Sequence, residues 1–200
     1  MTEPLLLDKY IPRYDHAVVY SQVFRAPPER CFEACVNMDI LEDPVVRLLI
    51  RAREVPLRVA DAVKGRGAEA RRVSWPATFR IRDLSELGWV MLGERPGAEL
   101  VFGTVSRPWE PVASVPVEPV TPEQFAGFNE PGFAKIAEST RVDPYGSRFS
   151  VVTVESRVAL SDEDSRRRFR RYWMMFGPFM KLIRTTLMRS LERQLQASGS

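Results

Sequence analysis

The sequence predicts an α+β fold in which an antiparallel β-sheet is followed by one long C-terminal helix. Residues 133–142 and 148–160 are strand-like, and the turn-forming residues 143–147 lie between them, which predicts a hairpin. Before Ser161 the apolar residues alternate with a period of two. From Ser161 to Gln196 they recur about every 3.6 residues, which predicts a single amphipathic helix. A sheet that is followed by a helix lying across it can enclose a cavity.

The composition indicates one globular domain. The chain has 200 residues, of which 44% are hydrophobic, enough for a core that needs neither disulfide bonds nor a metal ion. We therefore expect a single domain over residues 1–200, with its core at about 14–196, and no cofactor. The apolar runs are far shorter than the roughly 20 residues that cross a bilayer. Because the first residues also lack the pattern of a signal peptide, the expected location is the cytoplasm.

The two cysteines, Cys31 and Cys35, lie four residues apart in a predicted helix. A helical turn rarely allows such a pair to form an unstrained disulfide, so we expect two reduced core residues. A metal or redox pair is the alternative. A structural zinc site takes four ligands of this kind, and His16 is the only histidine in the chain.

The N-terminal half predicts one strand and a group of helices. Residues 16–25 alternate in polarity, which predicts the first strand. Two prolines then end the strand, and Pro28 suits the first position of a helix. Further helices are expected at about 44–53 and 57–63, followed by a loop at 64–76.

The middle of the chain predicts three strands, at 78–84, 89–94 and 99–107. The turn at 95–98 contains Pro-Gly, which suits a two-residue hairpin poorly, so we expect a longer loop or a bulge there. Five prolines between residues 108 and 122 exclude a central strand and indicate an edge strand or an extended loop.

The second hairpin allows a prediction of register. A loop of residues 144–146, with Gly146 in the left-handed conformation, pairs Asp143 with Ser147 and Lys135 with Glu155. One side of the hairpin, expected to face the long helix, then carries Ile136, Glu138, Thr140, Val142, Val152, Val154, Ser156 and Val158. The other side carries Lys135, Ser139, Arg141, Thr153, Glu155 and Arg157.

This order of elements resembles the helix-grip fold of the SRPBCC superfamily, which includes START lipid-binding domains and polyketide cyclases. The segments 88–97, 106–109 and 155–158, the last leading to 168–173, are similar to those of a group of bacterial SRPBCC members. The resemblance covers about residues 14–192. It implies a curved antiparallel sheet wrapped around the C-terminal helix, two short helices after the first strand, and an apolar cavity between sheet and helix. It carries over no catalytic residue.

The terminal helix is the best-supported functional element of the sequence. Its apolar face consists of Phe169, Trp173, Phe176, Met180, Ile183, Leu187 and Leu191. The aromatic and methionine residues of this face either fill the core or border the cavity. Gly177-Pro178 interrupts the helix, and proline removes a backbone donor, so we predict a kink or break there.

Glu138 is the sharpest single candidate for a functional residue. A carboxylate turned toward an apolar interior must be neutralised, paired or hydrogen-bonded, and it could act as a general acid or base or bind a polar group of a ligand. Two alternatives stay open. In one, the register is different and places Glu138 in solvent; in the other, an arginine pairs with it for structural reasons.

The predicted function is the binding of a small hydrophobic or aromatic molecule between the sheet and the terminal helix, with Glu138, Thr104 or Ser156 as polar anchors. The alternative is an enzyme of the cyclase, dehydratase or hydrolase kind that uses Glu138 as acid or base. The predicted ligand-binding residues are Phe102, Thr104, Ile136, Glu138, Thr140, Val154, Ser156, Trp173, Phe176 and Met180.

The basic residues of the terminal helix raise the question of a charged partner. Residues 161–196 contain nine basic and four acidic residues, and the run Arg166 to Trp173 interleaves arginines with aromatics, a pattern that suits nucleic acids. Because Phe169 and Trp173 are expected to face the core, the arginines are interpreted as a solvated face. We therefore expect no nucleic-acid partner and at most a weak contact with an anionic membrane surface. His16 is interpreted as structural.

Overall fold

The structure is a computed structural model that describes residues 4–49, 78–110 and 121–197. It is an α+β fold with an antiparallel sheet and a long C-terminal helix, as predicted. The elements in chain order are α1 (Leu6–Tyr10), β1 (His16–Phe24), α2 (Pro28–Asn37), α3 (44–49), a 3₁₀ helix (Ile81–Leu87), β2 (Val90–Arg95), β3 (Glu99–Ser106), α4 (Pro122–Gly127), β4 (Ala134–Tyr145), β5 (Phe149–Leu160) and α5 (Glu163–Ala197).

Within the described residues, the sheet has five antiparallel strands in the order β1-β5-β4-β3-β2, and β4 is the central one of these. Helices α5 and α2 pack on one face, which we call the inner face. Helices α1 and α4 pack on the opposite, outer face through Leu7, Tyr10 and Phe125. The sequence predicted the helix on the inner face but not the layer on the outer face.

The register of the β4–β5 hairpin differs from the prediction by four residues. Asp143 pairs with Val151 and Lys135 with Ala159, and the turn lies at 146–148 instead of 144–146. The strands continue past Pro144 to the aromatic pair Tyr145 and Phe149, a favourable cross-strand pair. Because a shift of four residues is even, every side chain stays on its predicted face of the sheet.

Residues 78–84 do not form the predicted strand. Residues 81–87 form the 3₁₀ helix, in which the Asp83 carboxylate accepts a hydrogen bond from the backbone N–H of Arg80. Such local side-chain bonds compete with the hydrogen-bonding ladder of a sheet. Gly88 ends the helix with a φ of 78°, a left-handed conformation that suits glycine.

Several other predictions are confirmed. The first strand and the helix that begins at Pro28 are present, and helix 44–53 is confirmed over residues 44–49. The Pro-Gly hairpin has a three-residue loop and a bulge between Met91 and Gly93. The rest of helix 44–53, the helix predicted at 57–63, the loop at 64–76 and residues 111–120 of the proline-rich segment lie outside the described residues.

Helix α5 runs for 35 residues without a break at Pro178. Pro178 has no N–H to donate to the backbone carbonyl of Met174. Both residues are exposed, so water can hydrogen-bond to that carbonyl. At the start of the helix, the Asp162 carboxylate accepts hydrogen bonds from the backbone N–H groups of Ser165 and Gly132. These bonds hold the pKa of Asp162 well below its usual range.

Gly103 provides a test of the packing on the outer face. A Cβ at this position would lie 2.7 Å from Leu92 Cδ1 and 2.9 Å from Phe125 Cε2. We expect Gly103→Ala to lower the free energy of unfolding by about 1 to 2 kcal/mol, measured by urea denaturation, because overpacking strains a filled core. Gly127→Ala is the matched control, since its Cβ would meet nothing within 4 Å. Equal stability of the two variants would contradict the packing.

Cys31 and Cys35 are buried free thiols, as predicted. Burial raises the pKa of both thiols, and the thiolate is the reactive form. In the folded protein at mildly alkaline pH, both are therefore expected to resist a thiol reagent such as Ellman's, and both should react after unfolding in guanidinium chloride. Rapid reaction of either thiol in the folded state would contradict this burial.

Candidate functional site

The centre of the inner face is polar, although apolar clusters flank it. Arg184 of α5 points at the sheet, and its Nη2 donates a hydrogen bond to Glu138 Oε1 at 3.1 Å and another to the Ser156 hydroxyl. Its Nη1 donates to the backbone carbonyl of Val154 at 3.2 Å. The β4–β5 pairing places Glu138 directly opposite Ser156. One guanidinium therefore joins the helix to β4 and β5.

The two partners of this ion pair are exposed to very different extents. The side chain of Arg184 is 6% exposed, whereas that of Glu138 is 33% exposed. Glu138 lies in the middle of the central strand, on the face that α5 covers. Its exposure means that solvent reaches the inner face at this point.

Ile136, Val154 and Ser156 are half-buried neighbours of Glu138 on the inner face of the sheet. Trp173 and Met180 are half-buried on the side of α5 that carries the buried Arg184. We call this surface the inner groove and define it by Ile136, Glu138, Val154, Ser156, Trp173, Met180 and Arg184. Its helix residues Trp173, Met180 and Arg184 follow one another at spacings of seven and four, which places them on one side of α5. The inner groove thus combines apolar side chains with one ion pair.

The remaining predicted site residues are buried. Phe102 is 1% exposed and belongs to a core cluster with Phe32 and Leu191 at one end of the interface. Phe176 is 3% exposed and belongs to a cluster with Phe169 at the other end. The side chains of Thr104 and Thr140 are 4% and 2% exposed. Of the ten predicted residues, the structure brings six into the inner groove, and the other four lie within packed surroundings.

Buried polar atoms without partners lie near the groove. In the described part of the chain, Thr104 Oγ1, His16 Nε2 and Trp109 Nε1 are buried and make no hydrogen bond. Thr104 pairs with the groove residue Ile136, and the His16 ring lies 4.4 Å from that of Trp173. Burial lowers the pKa of His16, which favours the neutral ring. A buried polar atom left unpaired costs about 1 to 3 kcal/mol.

Arg184 is the residue that the sequence interpretation missed. The arginines of the terminal helix were interpreted as a solvated face, and this holds for the exposed Arg167, Arg170 and Arg171. The open alternative that an arginine pairs with Glu138 is confirmed. The signal was present in the sequence, because Arg184 lies four residues after Met180 on the apolar side of the helix, where an unpaired cation is costly.

A separate pocket of 110 Å³ lies at one end of the outer face, beside α4. Its lining includes Phe128, Phe133 and Lys135. The Lys135 Nζ donates a hydrogen bond to the carbonyl of Ala126. Because the sheet stands between this pocket and the inner groove, it is not the predicted cavity.

The described residues contain neither a cluster of metal-binding side chains nor a helix that could span a membrane. Within 4–49, 78–110 and 121–197, no three His, Cys, Asp or Glu side chains are grouped so that they could hold a metal ion. None of the helices in these ranges combines the length and apolar content needed to cross a membrane. Comparison of the chain with protein-family models, curated proteins and solved structures gives no match.

Proposed function

We propose that the protein binds a small hydrophobic or aromatic molecule in the inner groove, and that it is a member of the SRPBCC superfamily. The observation that carries the proposal is the exposure of Glu138, a carboxylate that solvent reaches in the middle of a covered, largely apolar face. Natural ligand sites combine such apolar walls with a few fixed polar groups. Here Ile136, Trp173 and Met180 provide the walls.

The charges of the groove favour an uncharged ligand with a hydrogen-bond donor. Glu138 and Arg184 neutralise each other, so a ligand with a net charge would meet one unfavourable partner. Among the described residues, only Arg184 donates to the Glu138 carboxylate, and it bonds Oε1. Oε2 therefore remains available to accept a bond from a ligand hydroxyl or N–H.

An enzyme is the second candidate, because a carboxylate that a ligand can reach could also act as a base. A carboxylate that already accepts a hydrogen bond from Arg184 suits an anchor or a base better than an acid. Glu138→Gln separates the two functions, since glutamine can still accept a bond from Arg184 but cannot take up a proton. Retained ligand binding together with lost turnover would favour the enzyme.

Native mass spectrometry tests whether the groove binds a small molecule. The protein is first mixed with an organic extract of bacterial cells. We expect a bound small molecule on the wild-type protein and none on Ile136→Trp, which fills the groove. Val23→Trp is the control, because Val23 is 49% exposed on β1. Absence of any bound molecule, or equal loading of all three proteins, would count against a ligand site in the groove.

A further inference from the structure

The outward side of α5 exposes apolar side chains among cations. Met174 is 70% exposed, Met175 54% and Leu182 47%. At helical spacing they share one side of the helix with four basic residues. We call this surface the cationic face and define it by Arg167, Arg170, Arg171, Met174, Met175, Lys181 and Leu182.

The charge on this side of the helix is predominantly positive. Residues 165–191 contain eight basic residues and no acidic one. Arg166 pairs with Asp15, Arg167 with Glu163 and Arg168 with Asp164. Within the described ranges, Arg170, Arg171 and Lys181 make no ion pair.

From this arrangement we propose that the cationic face docks on the surface of a membrane that contains anionic phospholipids. Arginine and lysine bind the lipid phosphates, while Met174, Met175 and Leu182 enter the boundary between headgroups and acyl chains. Helices that lie in a membrane interface combine basic and apolar residues in this way. Methionine suits this role because its flexible side chain adapts to an irregular apolar surface.

Two other occupants fit the cationic face less well. Nucleic-acid surfaces stack bases on exposed aromatic rings, but Phe169, Tyr172 and Phe176 of α5 are all buried. A second copy of the chain, docked through the same face, would bring two sets of unpaired cations together. An anionic bilayer complements both the charge and the exposed apolar groups.

The cationic face and the inner groove share one stretch of α5. Trp173, Met180 and Arg184 of the inner groove lie on the same stretch of α5 as the cationic face. A docked protein would therefore hold the groove close to the bilayer. The docking itself does not depend on the ligand proposal, since it rests on the outward side of the helix alone.

Vesicle flotation of the full chain tests the docking. At low ionic strength we expect binding to phosphatidylcholine vesicles that contain phosphatidylglycerol, little binding to pure phosphatidylcholine, and a loss of binding as salt is added. The triple variant Arg170→Gln, Arg171→Gln, Lys181→Gln should bind roughly a hundredfold more weakly, because each cation near the surface contributes to the attraction. Met174→Gln with Met175→Gln keeps the charge and should still weaken binding.

The control is a second triple variant, which also removes three positive charges but at exposed positions outside α5: Arg13→Gln, Arg25→Gln and Arg148→Gln. Circular dichroism would verify that each variant is folded. No binding of the wild-type protein to anionic vesicles, or equal binding of the triple variant and the control, would overturn the proposal. Binding of single-stranded RNA in place of vesicles would overturn it in favour of a nucleic-acid surface.

Discussion

Glu138→Leu is expected to lower the free energy of unfolding by about 3 kcal/mol, although the replaced side chain is one third exposed. The substitution leaves the Arg184 guanidinium, 6% exposed, without its counter-charge. Removing one partner of a buried ion pair costs about 3 to 5 kcal/mol. We place the loss at the lower end because solvent reaches Glu138 and screens the pair. Urea denaturation monitored by tryptophan fluorescence measures the change.

A double-mutant cycle separates the pair from the packing around it. Glu138→Leu with Arg184→Met removes both charges and should recover most of the stability, because no buried charge is left unpaired. Arg168→Ala is the control for an exposed pair, since Arg168 and Asp164 are 53% and 66% exposed, and should cost less than about 1 kcal/mol. If the double variant loses the sum of the two single losses, the ion pair contributes nothing of its own.

Phe102→Ala is expected to lower the free energy of unfolding by about 3 to 5 kcal/mol, the usual cost of removing a buried phenylalanine ring. Phe102 is 1% exposed and packs in the core cluster that contains Phe32, Leu100 and Leu191. The sequence prediction that Phe102 contacts a ligand leads to a different expectation, namely a change in ligand affinity with little loss of stability. Urea denaturation and ligand titration of the same variant distinguish the two roles. A loss of stability below about 1 kcal/mol would contradict the core assignment.

The sequence was sufficient to predict which side chains of the hairpin lie on the inner face, because the face of a strand residue depends only on a period of two. The predicted pairing of Lys135 with Glu155 was wrong, yet Glu138 lies on the inner face as expected. A turn can be misplaced by an even number of residues without moving any side chain to the other face. The extent of helix α5 was likewise predictable, since its apolar spacing extends over many turns, but the break predicted at Gly177-Pro178 is absent.

The outer layer could not be predicted because its helices are short. Helices α1 and α4 have five and six residues, too few for a helical period to show. The sequence does carry one indirect sign of this layer. All eight residues of β3, from Glu99 to Ser106, are buried, and strands covered on both faces read as apolar runs without alternation. The run Leu100 to Phe102, followed by Val105, fits that pattern.

Of the two residues of the ion pair, only Glu138 could be predicted from the sequence. Glu138 stood out as a charged residue among apolar neighbours on one strand face. Its partner Arg184 lies 46 residues away, in a helix that contains many other arginines. Helical spacing alone separates Arg184 from the solvated arginines, and the choice of partner depends on how α5 lies across the sheet, which no local pattern specifies.

Binding of a neutral apolar fluorophore tests most directly whether the inner groove binds a small hydrophobic molecule. N-phenyl-1-naphthylamine brightens when it leaves water, and its lack of charge keeps it from binding the cationic face by electrostatic attraction. We predict saturable binding to the wild-type protein, binding that is roughly tenfold or more weaker to Ile136→Trp, a loss of at least 1.4 kcal/mol, and unchanged binding to the control Val23→Trp. No saturable binding to the wild-type protein, or equal affinity in all three proteins, would contradict a ligand site in the inner groove.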